Sequence, residues 1–243
     1  MNPPDQNEAA RRALCLGALV MRSKFESIVI SSSPQMFAVH EELATHLNMW
    51  LADEGLIASQ STREKPLISK ALGSWSRQEL IDAAWRANSL GVILWALSQF
   101  DELPSWDCQF TPQETISPLN LFAPIGPFME KAKLRPGNEI DNMRALAALW
   151  HWRANIRRRQ DQASDPGEIA NLVAEVREAA AAAFKRGELP ELIDGDFPAY
   201  GKAFGDISVD EFNEANSIAV ERHYALNWLC GYAADWDAVP TDR

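Results

Sequence analysis

The sequence predicts an all-α fold: a single compact domain spanning residues 1–243, with about six main helices and minimal strand content. Three observations carry this prediction. Helix-start signals recur at Ser33-Pro34, Ser76-x-x-Glu79, Thr111-Pro112-x-Glu114, Asp165-Pro166-x-Glu168 and Ser208-x-x-Glu211. Each supplies a side-chain oxygen to receive the first free N–H groups, with proline at the first helical position or an acid at the third, or both. Gly55, Gly73 and Gly187 stand where a left-handed residue would end a helix. Between these marks, apolar residues recur at helical spacing.

Taken in order, the first helix is expected near 6–22, with Asp5 and Glu8 ahead of Arg11, Arg12 and a short apolar patch. Those acids, and the lack of a small-residue cleavage site, argue against a signal peptide. Ser27–Ile30 is the one strand candidate. A second helix is expected over 34–54, followed by a short turn near 65–72. Over 76–100, Ile81, Trp85, Val92 and Ala96 line one face while Leu90, Ile93, Leu94 and Leu97 line others, so this helix should be central and buried nearly all round. The Pro/Gly-rich stretch 103–138 holds a short turn near 112–117 and could join an N-terminal layer, 1–103, to a C-terminal one, 139–243. Helices are next expected over 139–161 and 166–186, the latter with a one-sided stripe from Ile169 to Ala183. The segment 187–207 has no helical stripe, and a loop of that length inside a domain is commonly functional. Its Phe197, Tyr200 and Phe204 suit a loop pinned by aromatic contacts. A last helix is expected over 208–233.

Composition narrows the class. Hydrophobic residues make up 47% of the chain and charged residues 23%, too apolar for disorder. Cys15, Cys108 and Cys230 form no CxxC pair, so neither a disulfide framework nor a zinc knuckle is expected. No apolar run approaches the ~18 residues of a membrane span, and the reading is a soluble, cytoplasmic protein without a membrane partner. The nine tryptophans are expected mainly in the core. The net charge of −11 is uneven: Gly187–Arg243 holds twelve acids against three bases, whereas Lys131–Gln160 holds eight bases against two acids. The two regions either face each other or leave a docking surface for a charged partner.

No motif carries a reaction. His40 and His46 are six apart, whereas a zinc helix needs four. Asp194-Gly195-Asp196 and Asp235-Trp236-Asp237 offer carboxylates but match no cation loop. Arg157-Arg158-Arg159 complements a helix C-terminus, and the acidic total argues against nucleic acid. No cofactor or structural metal is expected. In the last helix Glu221 and His223 fall on opposite sides of the apolar stripe, while Arg222 falls in its middle, as Arg86 does on the central helix. Charges so placed need a carboxylate or several carbonyls to receive them.

The segment Trp85-Arg86 followed by LGVILWAL, the later GDFPAYGKAF and the ending SIAVERHYALNWLCGYAADWDAVPTD together resemble the bacterial family known as domain of unknown function 4272. The resemblance is most evident over the last two thirds of the chain. It implies a helical fold and no activity.

These readings favour a binding or regulatory, immunity-like protein rather than an enzyme. Its partner would be a basic protein, met by Asp194, Asp196, Tyr200, Asp235, Trp236, Asp237 and Asp242 on an acidic C-terminal surface. The rival is an enzyme or small-molecule sensor with an arginine-lined pocket for an anionic ligand, built from Trp85, Arg86, Glu221, Arg222, His223, Asn227 and Trp228. Oligomeric state is left open.

Overall fold

A computed structural model describes residues 2–240 of the chain. Nine α-helices are found among those residues: α1 (Gln6–Val29), α2 (Pro34–Asp53), α3 (Glu64–Ser69), α4 (Arg77–Ala96), α5 (Pro112–Ile116), α6 (Gly126–Lys131), α7 (Gly137–Gln162), α8 (Pro166–Lys185) and α9 (Val209–Leu229). The named strands, β1 (Pro198–Ala199) and β2 (Lys202–Ala203), form a two-residue antiparallel hairpin. The fold is all-α. Its six helices of 20 residues or more are the six expected, and the short α3, α5 and α6 raise the count to nine.

All five expected caps form, each through the predicted side-chain oxygen, and those of α4, α5 and α9 are reciprocal capping boxes. α1 adds a sixth cap through Asp5 and Glu8. The strand candidate Ser27–Ile30 is instead the end of α1. Ile28, Val29 and Ile30 are β-branched, but a buried Arg22–Glu26 ion pair one turn apart holds the helix on course. Arg22 donates onward to the carbonyls of Lys70 and Ala71, and Glu26 accepts from the Gly73 amide at 2.9 Å, so tertiary contacts override local strand preference here.

The long helices pack in the spatial order α1, α4, α9, α7, α8, with α2 against α1. Being in the middle, α4 is buried at every residue from Ala87 to Ala96, whereas its first half, Ile81 included, is largely exposed or half-buried and so not buried all round as expected, and α9 is buried at every residue from Arg222 to Leu229. Gly91 permits the close approach of α4 to Phe110: a Cβ there would lie 2.2 Å from the ring. The main core combines Ala9–Val29 of α1 with Tyr224–Val239 near the other end of the chain. A second cluster joins α7, α8 and the first half of α9 to the 187–207 loop. In that loop Phe197 and Phe204 are buried against Trp150, at 5.2 and 6.1 Å between ring centres.

Candidate functional site

Consecutive residues of α9 serve three different places. Glu221 accepts from Arg86 at 3.2 Å and from the Ser89 hydroxyl at 2.5 Å, and the Arg86 guanidinium also lies 4.8 Å over the Tyr224 ring. Among the described residues Arg222 makes no ion pair, although the Asp107 carboxylate acts on it electrostatically. Fully buried, it donates to the carbonyls of Pro104 at 2.8 Å and Cys108 at 2.7 Å, and lies 5.1 Å from the Trp106 ring centre. Desolvation lowers its pKa to about 10. His223 turns to α7, with its Nδ1 3.2 Å from that of His151. Burial first, then His151 and Arg144, lowers its pKa to about 4, so the ring is neutral near pH 7.

The remaining ligand candidates lie elsewhere. Asn227 donates to the Pro240 carbonyl at 2.8 Å, which ties down the end of the described chain. Trp228 is buried edge-on against Trp236. Trp85 is half-buried on α4. Arg86 and Arg222, the two arginines expected to frame an anion pocket, are committed to Glu221 and to backbone carbonyls respectively.

The acidic candidates do not make one surface either. Asp194 is exposed. Asp196 is buried in a two-pronged pair with Arg153, at 2.7 and 2.6 Å, and also accepts from the amides of Phe197 and Gly205. Trp236 is buried too, packed on Tyr224 and Trp228 with the Arg12 guanidinium 5.0 Å from its ring centre. Both residues are packed in the interior. Asp235 is exposed and caps the short 3₁₀ turn Trp236–Ala238, and Asp237 accepts from the Arg63 amide at 2.9 Å. Asp242 lies outside the described residues. The basic 131–160 stretch faces the acidic region across the Arg153–Asp196 pair, and Arg157 donates to the Gly205 carbonyl.

Tyr200 leads to a surface that the charge count alone did not reveal. Its amide donates to the Asp107 carboxylate at 2.6 Å, which ties the 187–207 loop to the 101–108 loop. Between these loops runs a groove of about 440 Å³, floored by Met143, Leu146 and Trp150 of α7 and walled by Leu103, Pro104, Trp106, Pro190 and Pro198. Trp106 stacks on Trp150 at 5.7 Å and 12°. Two buried-side cations hold the 101–108 loop from behind. Arg222 takes Pro104 and Cys108; Arg135 takes the carbonyls of Phe100 at 2.9 Å and Asp101 at 3.0 Å. Four acids line the groove: Asp101, Glu102, Asp107 and Glu188. Glu188 is paired with Arg186. Among the described residues, Asp101, Glu102 and Asp107 make no ion pair, and the first two are exposed.

Among the described residues no group of three or more His, Cys, Asp or Glu side chains could hold a metal ion, and no helix is long and apolar enough to cross a membrane. The class so defined is an all-α protein whose long loops are held by buried arginines. The family model for a domain of unknown function, DUF4272, matches residues 1–182, and the chain belongs to that family. The matched span takes in Trp85-Arg86 and the 101–108 loop, whereas GDFPAYGKAF and the α9 ending lie beyond it, the reverse of the emphasis expected from the sequence. No curated protein and no solved structure matches the chain.

Proposed function

We propose that this protein acts by binding, and that the groove between the 101–108 and 187–207 loops receives a basic, extended segment of a partner protein. The supporting observation is the pairing of aromatic and proline-lined walls with three carboxylates that make no ion pair among the described residues. Apolar floors with a few placed polar groups are the usual form of recognition sites, and charge of one sign on the rim steers a partner of the other. Proline and stacked tryptophan keep the walls rigid, so little conformational freedom is lost on binding. Arg222 belongs to this reading as the residue that positions one wall, not as a ligand contact.

Selection from a random displayed-peptide library tests it. Bound peptides should be enriched in lysine and arginine, and the double variant Asp101→Asn, Glu102→Gln should lose them while its thermal stability stays unchanged, since both side chains are exposed. Retention should also weaken with salt, because screening limits exposed charges to about 8 Å at physiological ionic strength. Enrichment without charge bias, or full retention by the double variant, would refute the groove as the docking surface.

A further inference from the structure

The groove between the 101–108 and 187–207 loops restricts the backbone form of what it can hold. Peptides are recognised as an added β-strand, as a helix laid in a channel, or as a polyproline II segment on aromatic walls. An added strand needs a row of free N–H and C=O groups along the receptor. Here Pro104, Pro190 and Pro198 interrupt the walls, and proline has no N–H to give. The carbonyls of the 101–108 wall are engaged as well, those of Phe100 and Asp101 by Arg135 and those of Pro104 and Cys108 by Arg222. A helix with its side chains is about 10 Å across and presents anchors over two turns, whereas about 440 Å³ holds roughly one turn of such a cylinder.

The third mode matches. Polyproline II has no internal hydrogen bonds, so its carbonyls are open to side-chain donors, and its prolines dock on aromatic surfaces. Trp95, Trp106 and Trp150 all line the groove. The indole N–H of Trp150 is enclosed without a partner, out of a ligand's reach. That of Trp106 differs. Trp106 is half-buried in the wall, and its N–H is neither enclosed nor hydrogen-bonded among the described residues. Its ring is stacked on Trp150 and lies 5.1 Å from the Arg222 guanidinium, so the donor is fixed in place before any ligand arrives. Asp101, Glu102 and Asp107, which make no ion pair among the described residues, belong to the same loop.

We infer, on the basis that the groove is the docking surface, that the segment it receives is proline-rich, adopts the polyproline II conformation and is flanked by a lysine or arginine. Trp106 donates to a ligand carbonyl, the prolines pack against the aromatic and proline walls, and the cation meets the carboxylates of the 101–108 loop. Such a segment is extended before it binds and gives up little freedom on docking.

Two labelled peptides of equal length and charge, titrated into the full chain by fluorescence anisotropy at fixed ionic strength, put this to the test. One repeats Pro-Pro-Leu and ends in a pair of arginines; the other has glycine in place of every proline. The proline peptide should bind at least about tenfold more tightly, because the glycine chain must be ordered on binding. Trp106→Phe keeps a ring on Trp150 but removes the N–H, and should weaken the proline peptide about tenfold, the loss of one hydrogen bond, with thermal unfolding little changed. Equal binding of the two peptides, lost for both in the Asp101→Asn, Glu102→Gln variant, would overturn the polyproline II form and leave the basic-segment reading standing. No saturable binding of either peptide would overturn both. An undiminished affinity of folded Trp106→Phe for the proline peptide would also overturn the inference, since the donor would then contribute nothing. The peptide comparison uses the unaltered chain, so it decides even where a substitution disturbs the loop.

Discussion

The regions around Arg153 and Arg222 solve the same problem by opposite means. Each places a nearly inaccessible guanidinium between a long helix and a long loop, and each loop carries aromatic residues that the arginine also covers: Arg153 lies 4.9 Å over Phe204, and Arg222 5.1 Å over Trp106. Arg153 meets a buried carboxylate with both prongs, whereas Arg222 hydrogen-bonds to backbone carbonyls and lies over rings, with the Asp107 carboxylate acting on it without a hydrogen bond among the described residues. The lesson is that a buried cation can organise a loop without a directly paired carboxylate, with its charge spread over dipoles and π-faces. His223, beside Arg222, takes a third course and stays neutral.

These differences should separate the three residues in unfolding experiments, beginning with the largest effect. Arg153→Ala leaves Asp196 as a buried charge without its partner and should cost about 3–5 kcal/mol in denaturant unfolding. A cost below about 1 kcal/mol would mean that the amides of Phe197 and Gly205 suffice for that carboxylate.

His223 should contribute a dependence on pH. Below about 6.5 the unfolded chain protonates this histidine, while the folded one resists until about 4. In that window the unfolded state binds more protons, so stability falls as pH falls, by about 3 kcal/mol across it. Unfolding of wild type and His223→Gln at pH 7 and pH 4.5 measures the term by difference, the variant showing the shallower decline. Parallel declines would show that acid destabilises the fold through other groups.

Arg222→Ala should cost less, about 2 kcal/mol, because it leaves two carbonyls unpaired and breaks no ion pair among the described residues. Its more telling effect is local. Releasing the 104–108 loop should abolish capture of basic peptides while the helical circular dichroism persists. Arg222→Lys should lose the same binding, since one ammonium cannot hold two separated carbonyls and cover Trp106 in the same geometry. If Arg222→Ala proves as costly as Arg153→Ala, the contrast between carboxylate and carbonyl partners fails.

Much of this architecture was legible in the residues. The capping oxygens at Ser33, Ser76, Thr111, Asp165 and Ser208 act on amides three positions away, so the chain near each one is enough to identify it. α6 escaped notice for the converse reason, having no side-chain cap. The site was less legible. Asp196 and Trp236 occur in stretches that read as an acidic surface, and both are interior, because Arg153 reaches one and Arg12 covers the other from distant helices. The groove gave only partial signals: a loop of unusual length and an arginine inside an apolar stripe.

By itself, then, the sequence determined the helical class, the six long helices, the chemistry of four of their starts and the burial of Arg222. The tertiary structure alone decided what Arg222 meets. Its acceptors lie 118 and 114 residues away along the chain, at Pro104 and Cys108, and only the packing of α9 between α4 and α7 brings that loop to it. Caps and stripes are settled within a few residues of backbone, where bonding geometry is short-ranged. Partners of buried charges are settled by which distant segment desolvates them, and that depends on the whole core.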